Sequence, residues 1–379
     1  MRSAVRFRLP PELEATAPPE ARGLRRDHVR LLVVDRADGS VAHHRFDELP
    51  RLLEPGDLLV VNDSRTLPAS LLGHTAAGVA VEVRLAARDP GGSGGPAPAA
   101  ERWAALVLGV PAGGGDPALV PTDRRPAAPV LAAGERLEFA GGLGATVLGR
   151  HEEARPLVWL AFDAAGERLA EALHRAGRPV RYAYVPRAWP LHHYQTLFAA
   201  GPGSAEMASA GRPFTVQTLA DLRRRGVGLA TISLHAGLST YGDPATDQRF
   251  VPAEPYFVPE ATVAAVAATR AAGGRVVAVG TTVVRTLETA ARAGSGEGGE
   301  GAGLRAGGGV SRLRISPGFP LRVVDGLLTG LHEPEASHLD LLGAFLGPAA
   351  LERAYGAALD AGYLWHEFGD VCLLLPRRS

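Results

Sequence analysis

A carboxylate and a histidine near the middle of the chain are the first candidates for acid–base chemistry. Glu206 lies in a loop of glycine, serine and alanine residues, and His235 ends an apolar run that leads into a second loop of small residues. Small residues let backbone amides approach a ligand closely, and α/β proteins usually bind ligands in loops beyond the carboxyl ends of their strands. Spacing alone leaves the roles open. His235 is a catalytic base, a ligand contact or a histidine satisfied by its own loop, and Glu206 faces either solvent or a ligand.

Two other stretches place polar groups directly after predicted strands. Residues 58–61 form a continuous apolar strand followed by a polar cluster, which consists of Asn62, Asp63, Ser64, Arg65 and Thr66. Residues of these types also close loops and cap helices unaided, and spacing favours that interpretation. Further along, Gly280, Thr281 and Thr282 end a strand and open a helix. The amides at that helix start either hold an anion or form an ordinary helix terminus.

The composition limits the classes of protein to consider. The chain has 379 residues, of which 46% are hydrophobic and 21% charged, enough for one large core or two smaller ones. All 40 basic residues are arginine and balance 40 acidic residues, so no Schiff-base or P-loop lysine is available. A net charge of zero lacks the broad basic field of a dedicated nucleic-acid binder but allows a local arginine patch.

We predict neither a metal site nor a membrane partner. The single cysteine, Cys372, lies in an apolar run and is interpreted as a buried hydrophobic residue. Adjacent histidines, as in His43-His44 and His192-His193, point to opposite faces of a strand and suit a shared metal poorly. The N-terminus lacks an apolar core of signal-peptide length, and no apolar run approaches about 18 residues, so we predict a cytoplasmic protein. A G-x-G-x-x-G string at residues 294–299 follows a helix and is interpreted as a linker.

The elements around these candidates indicate two kinds of structure. From residue 70 to residue 162 short β-type runs alternate with Gly/Pro loops, which predicts a small β-barrel or sandwich inserted into the chain. After residue 178 helical and strand patterns alternate, which predicts an α/β domain with a largely parallel sheet. We assign residues 1–69 and 153–379 to a discontinuous α/β catalytic domain and residues 70–152 to the inserted barrel.

Several motifs occur in the order found in one family. They are Val60-Val61-Asn62-Asp63-Ser64-Arg65-Thr66-Leu67-Pro68-Ala69, Gly203-Ser204-Ala205-Glu206, Ser209-Ala210-Gly211, Leu234-His235-Ala236-Gly237, Val279-Gly280-Thr281-Thr282-Val283-Val284-Arg285-Thr286-Leu287-Glu288 and Ser316-Pro317-Gly318-Phe319. With these motifs the chain resembles the S-adenosylmethionine:tRNA ribosyltransferase-isomerases of queuosine biosynthesis. The resemblance extends over essentially the whole chain, to Phe368-Gly369-Asp370.

The resemblance implies a fold, an activity and a set of site residues. The fold is an α/β domain, distorted and barrel-like, built from both ends of the chain around an inserted β-barrel. The activity transfers and isomerises the ribosyl part of S-adenosylmethionine onto 7-aminomethyl-7-deazaguanine in tRNA, forming epoxyqueuosine and releasing adenine and methionine. S-adenosylmethionine is consumed as a co-substrate, so no cofactor is implied. The matched positions are His235 and Glu206 as catalytic residues, with His235 as the hypothetical base, and Asn62, Asp63, Ser64, Arg65, Ser204, Ser209, Gly211, Gly237, Thr281, Thr282, Arg285 and His332 as substrate-binding residues.

Departures from the family pattern motivate two alternatives. A family histidine is replaced by Pro213, a family asparagine by Gly330, and acidic residues enter at Glu333 and Glu335. Acidic residues oppose a phosphate-backbone partner. The first alternative is a divergent paralogue that transfers the ribosyl part to a small-molecule acceptor. The second is a non-catalytic binder of S-adenosylmethionine or RNA.

Overall fold

The protein is described by a computed structural model that covers residues 5–90, 101–112, 116–293, 303–333 and 337–376. The strands of the described residues are, in chain order, β1 (Arg30–Asp35), β2 (Val41–Arg45), β3 (Leu58–Asn62), β4 (Arg65–Thr66), β5 (Ser70–Thr75), β6 (Ala80–Arg88), β7 (Glu101–Gly109), β8 (Arg136–Phe139), β9 (Gly144–Arg150), β10 (Leu157–Phe162), β11 (Gly177–Arg178), β12 (Pro202–Ser204), β13 (Gly228–Leu234), β14 (Glu254–Val258), β15 (Val276–Val279), β16 (Gly307–Ser311), β17 (Gly326–Gly330) and β18 (Val371–Leu375). The α-helices are α1 (Leu49–Leu52), α2 (Gly166–Ala176), α3 (Val216–Arg224), α4 (Pro244–Arg249), α5 (Glu260–Ala271), α6 (Thr281–Arg292), α7 (Ser337–Leu342) and α8 (Pro348–Asp360). The string at residues 294–299 and Glu335 lie outside the described residues.

One large sheet carries most of the structure. Within the described ranges it has nine strands, in the order β16-β14-β13-β3-β15-β17-β18-β1-β2. The four strands from β13 to β17 are mutually parallel, and so are β18 and β1. The other four neighbouring pairs are antiparallel. The prediction of a largely parallel sheet is therefore not confirmed, and the sheet is mixed.

One of the antiparallel pairs, β1 with β2, has a physical reason in its connection. Strands β1 and β2 are joined by a turn at residues 36–40, which is too short for the crossover that a parallel pair requires. The two edge strands, β16 and β2, do not pair with each other in the part of the chain that the structure describes. The large sheet is thus open, without the barrel-like closure that the resemblance implied.

The central strands are buried on both faces. Side chains of β3 and β15 alternate between two cores: Val60 and Ala278 face a core shared with α6 and α8, whereas Val61 and Val279 face a core shared with α1 and α3. Burial on both sides explains why these strands are continuous apolar runs in the sequence. Such rigid central strands can hold the loops at their carboxyl ends in fixed positions.

A small barrel forms the second part of the fold. Strands β5 to β10 are antiparallel and close through pairing of β5 with β8, in the order β5-β6-β7-β10-β9-β8. Their inward side chains, among them Leu71, Val83 and Leu160, form a separate core. The predicted inserted barrel is confirmed as a closed six-stranded barrel among the described residues. The division into domains at residues 70 and 152 stays a prediction.

None of the helices in the described segments has the length and apolar character needed to cross a membrane.

Candidate active site

A cavity of about 460 Å³ opens where the carboxyl ends of the parallel strands meet the barrel. The loops that follow β13, β15 and β17 contribute residues to its wall, as do the segment that contains Val180 and the residues just before β18. Loops at the carboxyl ends of parallel strands are the usual ligand site of α/β sheets. The volume lies in the range of small-molecule pockets, roughly 300–1,000 Å³.

The cavity brings together half of the predicted site residues. Its wall includes Glu206, Ser209, Gly237, Thr281, Thr282, Arg285 and His332. The wall, as far as the structure describes it, does not include His235, Asn62, Asp63, Ser64, Arg65, Ser204 or Gly211. The roles of all these residues in binding or catalysis stay predictions.

Glu206 is a partly buried carboxylate that accepts several hydrogen bonds. Its Oε1 accepts hydrogen bonds from the Tyr182 hydroxyl, from the Ser239 amide at 3.2 Å and from the Ser239 hydroxyl at 3.3 Å. Burial raises the pKa of Glu206 above its ordinary value, against these donors, which lower it. A carboxylate of this kind is a better proton acceptor than an exposed glutamate.

A second carboxylate, Glu367, lies in the same wall and was not predicted from the sequence. Its Oε2 accepts a hydrogen bond of 2.6 Å from the hydroxyl of Tyr184. Burial raises the pKa of Glu367 to about 7. The adjacent His366 stacks on the Tyr184 ring with a centroid distance of 3.8 Å. Burial lowers the pKa of His366 to about 4, so its imidazole is neutral at neutral pH.

The segment that carries Glu367 is held by the buried Asp370. The Asp370 carboxylate accepts hydrogen bonds from the backbone amides of Arg30 and Leu364, both at 2.8 Å. These bonds join the turn before β18 to the start of β1. The Phe-Gly-Asp motif noted in the sequence was therefore a signal for the segment that positions Glu367.

Another part of the cavity wall contains an ion pair and a helix start. Arg285 on α6 pairs with Glu254 at 2.5 Å, while its Nη2 is buried without a hydrogen-bond partner among the described residues. Helix α6 begins at Thr281 after Gly280, whose φ of 100° suits glycine, and no side chain of the described residues caps it. An unpartnered guanidinium nitrogen beside an uncapped helix start favours an anionic group of a ligand.

Two stacked histidines lie in the same cavity wall. The rings of His332 and His338 lie 5.0 Å apart at an angle of 17°. His332 Nε2 forms a hydrogen bond of 2.8 Å with the Thr329 hydroxyl. Burial lowers the pKa of His332 well below its ordinary value and that of His338 to about 4. Both rings are therefore uncharged at neutral pH and offer flat, apolar faces.

His235 lies behind the cavity wall in a network of hydroxyl groups. The Ser64 hydroxyl contacts His235 Nδ1 at 2.8 Å and the Ser204 hydroxyl at 2.6 Å. The Ser204 hydroxyl accepts a hydrogen bond from the Ala236 amide at 3.1 Å, and the Ala205 amide donates to the Ala236 carbonyl. This network joins the loop that carries Glu206 to the loop that carries Gly237. Burial lowers the pKa of His235, so the ring is neutral at neutral pH.

The polar cluster after β3 closes loops. Asn62 Oδ1 accepts from the Leu234 amide at 3.0 Å, and Asn62 Nδ2 donates to the Leu234 carbonyl at 2.9 Å. Asp63 accepts from the Ser233 hydroxyl. These bonds extend the pairing of β3 with β13 beyond its last residues, which agrees with the loop-closing interpretation. Arg65 is exposed, and Gly211 is buried outside the cavity wall.

A substitution at Gly203 tests the hydroxyl network around His235 directly. A Cβ at Gly203 would lie 2.2 Å from His235 Nδ1. We expect Gly203→Ala to displace the ring, break its bond to Ser64 and cost about 1–3 kcal/mol of unfolding free energy, measured by urea denaturation. Gly201→Ala is the matched control, because a Cβ there meets nothing within 4 Å. Equal stability of the two variants would contradict a close-packed His235.

Comparisons with known proteins agree over the whole chain. The family model described as "Queuosine biosynthesis protein" matches residues 2–374. The S-adenosylmethionine:tRNA ribosyltransferase-isomerase of Anaeromyxobacter dehalogenans is 39% identical over 98% of both chains, and that of Thermus thermophilus is 37% identical over 98% of this chain and 99% of its own. The crystal structure of S-adenosylmethionine tRNA ribosyltransferase from Thermotoga maritima is similar with a TM-score of 0.51 and 30% identity, covering 98% of this chain and all of that one. The chain therefore belongs to the family of queuosine biosynthesis proteins.

Proposed function

We propose that this protein is an S-adenosylmethionine:tRNA ribosyltransferase-isomerase. It transfers and isomerises the ribosyl part of S-adenosylmethionine onto 7-aminomethyl-7-deazaguanine in tRNA and releases adenine and methionine. The observation that carries this proposal is the 39% identity over 98% of both chains to a relative of that name. Because tRNA is the proposed acceptor, we place the protein in the cytoplasm, and S-adenosylmethionine is consumed rather than held as a cofactor.

The proposed reaction needs a base and an acid in one enclosed site. The sulfonium of S-adenosylmethionine acidifies its 5′ carbon, so a base can remove a proton there, while adenine must gain a proton as it leaves. A cavity that holds both groups in fixed positions lowers the entropic cost and excludes water. Glu206 lines the cavity and His235 does not. We therefore assign the base to Glu206 and a positioning role to His235, through the hydroxyl network that joins the two loops.

The same cavity suits S-adenosylmethionine by charge. Its sulfonium and amino group are cationic, and the wall offers the carboxylate of Glu206 together with the rings of Tyr182 and Tyr184. Cations are attracted both to carboxylates and to aromatic faces. The carboxylate of the methionine part is anionic and fits the unpartnered Nη2 of Arg285 near the start of α6.

One departure from the family pattern lies where the acceptor would approach. Glu333 lines the cavity, and its side chain is 56% exposed. Because more than half of this side chain is exposed, its charge affects an acceptor that approaches from solvent more than it affects S-adenosylmethionine. Pro213 lies outside the wall, whereas Gly330 contributes to it.

A chromatographic assay for free adenine and methionine tests the proposal. The protein is mixed with S-adenosylmethionine, with and without tRNA that carries the aminomethyl-deazaguanine at its wobble position. We expect release only with that tRNA, together with a mass increase of the wobble nucleoside. Binding of S-adenosylmethionine without any tRNA-dependent release would contradict the proposal and favour a small-molecule acceptor. Release that requires no acceptor at all would contradict it as well.

A further inference from the structure

We propose that Glu367 is the general acid that protonates the departing adenine, and that Tyr184 holds its carboxyl group in place. This inference rests on the proposed function. It assigns a catalytic role to a residue that the sequence motifs did not indicate.

The geometry gives the cavity two similar units side by side. Tyr182 donates its hydroxyl proton to Glu206, and Tyr184 donates to Glu367. The two tyrosine rings are stacked, with centroids 5.9 Å apart and an angle of 22° between their planes. All four residues line the same cavity. Two carboxyl groups presented in this way can act on different atoms of one bound substrate.

The two units differ in the number of donors they receive. Glu206 accepts three hydrogen bonds on one oxygen, from Tyr182 and from the amide and hydroxyl of Ser239, and these favour its ionised form. Glu367 accepts one side-chain hydrogen bond among the described residues, on Oε2 from Tyr184, and its own backbone amide is the second donor that favours its ionised form. A pair of carboxyl groups whose surroundings separate their pKa values is the usual arrangement for a base and an acid.

The groups around Glu367 keep a large share of this carboxyl group protonated near neutral pH. Burial raises its pKa to about 7, and the negative charge of Glu206 adds to that effect, whereas Tyr184 and the more distant Arg212 oppose it. Tyr194 is neutral, because burial raises its pKa. His366 is neutral as well and adds no positive charge.

The backbone at His366 has a strained conformation of the kind found at functional sites. Its φ of 73° is the single positive value found at a non-glycine residue in the described part of the chain. The His366 side chain is 8% exposed, and its Nε2 is buried without a hydrogen-bond partner in the described segments. Strained backbone and unpaired buried polar atoms concentrate at functional sites. Here the strain places the imidazole flat against Tyr184 and presents the next residue, Glu367, to the cavity.

The proton transfers balance in the proposed step. Glu206 takes the proton from the 5′ carbon, and the electron pair of that C–H bond forms a double bond to the 4′ carbon. The bond between the 4′ carbon and the ring oxygen breaks, and its electron pair forms a carbonyl at the 1′ carbon. The bond from the 1′ carbon to adenine breaks with its electron pair on nitrogen, which takes the proton from Glu367. One proton is removed and one is supplied, and water restores both carboxyl groups after product release.

The test compares kcat of Glu367→Gln with that of the wild type over pH. Glutamine keeps the acceptor for Tyr184 but cannot donate an acidic proton, so we expect kcat to fall by roughly 100-fold. KM for S-adenosylmethionine and the affinity for S-adenosylhomocysteine should stay within about threefold, since binding contacts are retained. An acid must be protonated, so wild-type kcat should fall as pH rises through about 7. That alkaline limb should be absent in the variant.

Further variants distinguish an acid role of Glu367 from a purely structural role. Glu367→Asp retains an acid and should recover part of the rate together with an alkaline limb, whereas a structural role of Glu367 would not restore the limb. Glu171→Gln is the control for loss of a negative charge, because Glu171 is 71% exposed on α2 and lies outside the cavity wall. Wild-type kcat in Glu367→Gln, or a slow variant that keeps the alkaline limb, would overturn the inference. A wild-type protein without tRNA-dependent adenine release would instead overturn the proposed function.

Discussion

Glu206→Gln is expected to lower tRNA-dependent adenine release by roughly 1,000-fold, within the range typical of a lost general base. Glutamine has the same shape and can still accept hydrogen bonds from Tyr182 and Ser239, so the fold should be retained. The affinity for S-adenosylmethionine should fall only modestly, through loss of one negative charge near its cationic groups. The loss should therefore appear mainly in kcat and only to a small extent in KM. Single-turnover assays with saturating tRNA measure the effect on the chemical steps.

The pH dependence has a defined sign. A base must be ionised, so the wild-type rate should fall as pH decreases. Because burial raises the pKa of Glu206, this acidic limb should lie above the pH at which an ordinary glutamate titrates. The Glu206→Gln variant should lack this limb.

His235→Gln is the matched comparison, because His235 is the other catalytic residue that the family resemblance implied. The structure places it behind the wall, where its Nδ1 contacts Ser64. We expect its loss to reduce the rate by about tenfold through displacement of the two loops, well below the loss for Glu206→Gln. If His235→Gln lowered the rate more than Glu206→Gln does, His235 would be the base instead of Glu206.

Local sequence pattern predicted the elements that are buried on both faces. The apolar runs at β3 and β15 and the start of α6 at Thr281 all agree with the structure. The short β-type runs that predicted a barrel do form one. The relative direction of neighbouring strands was harder to predict from the sequence, because a buried apolar strand has the same residue pattern whether its neighbour is parallel or antiparallel. Half of the sheet's pairs therefore differ from the prediction.

The sequence predicted those cavity residues that lie in a loop or helix start directly after a single strand. Glu206, Gly237, Thr281 and Arg285 belong to such loops or helix starts and line the cavity. The Tyr184–Glu367 pair could not be found in that way, since 183 positions separate the two residues in the chain. Tyr184 belongs to a segment without regular structure, and Glu367 reaches the cavity only because β18 pairs with both β17 and β1.

A buried ionic cluster on the outer face of barrel strand β6 contacts the cavity wall. Glu82 is 2% exposed and accepts hydrogen bonds from Arg84 at 2.7 Å, from Arg125 and from the Ser70 hydroxyl at 2.9 Å. The guanidinium of Arg84 lies 5.6 Å from the centre of the Tyr182 ring. Since Tyr182 donates to Glu206, this cluster connects the outer face of barrel strand β6 to the proposed base.

Glu82→Gln is expected to be the most destabilising of the substitutions considered. It removes the negative charge between two buried arginines and leaves both without compensation, which costs about 3–5 kcal/mol of unfolding free energy. Urea denaturation at neutral pH measures this loss. Glu138→Gln is the matched control, because Glu138 is an exposed residue of barrel strand β8. A change of less than about 1 kcal/mol for Glu82→Gln would contradict a stabilising role of the cluster.

The pH dependence of stability provides an independent check on the same carboxylate. Burial opposes ionisation of Glu82, but the two arginines outweigh it and lower its pKa below the ordinary value of 4.5. A carboxylate whose pKa is lowered in the folded state stabilises the protein above its unfolded pKa, and this stabilisation is lost as pH falls through the folded value. The difference in unfolding free energy between wild type and Glu82→Gln should therefore be constant near neutral pH and shrink below about pH 4.5. A difference that stays unchanged down to pH 3 would show that steric disturbance, rather than the lost charge, causes the destabilisation.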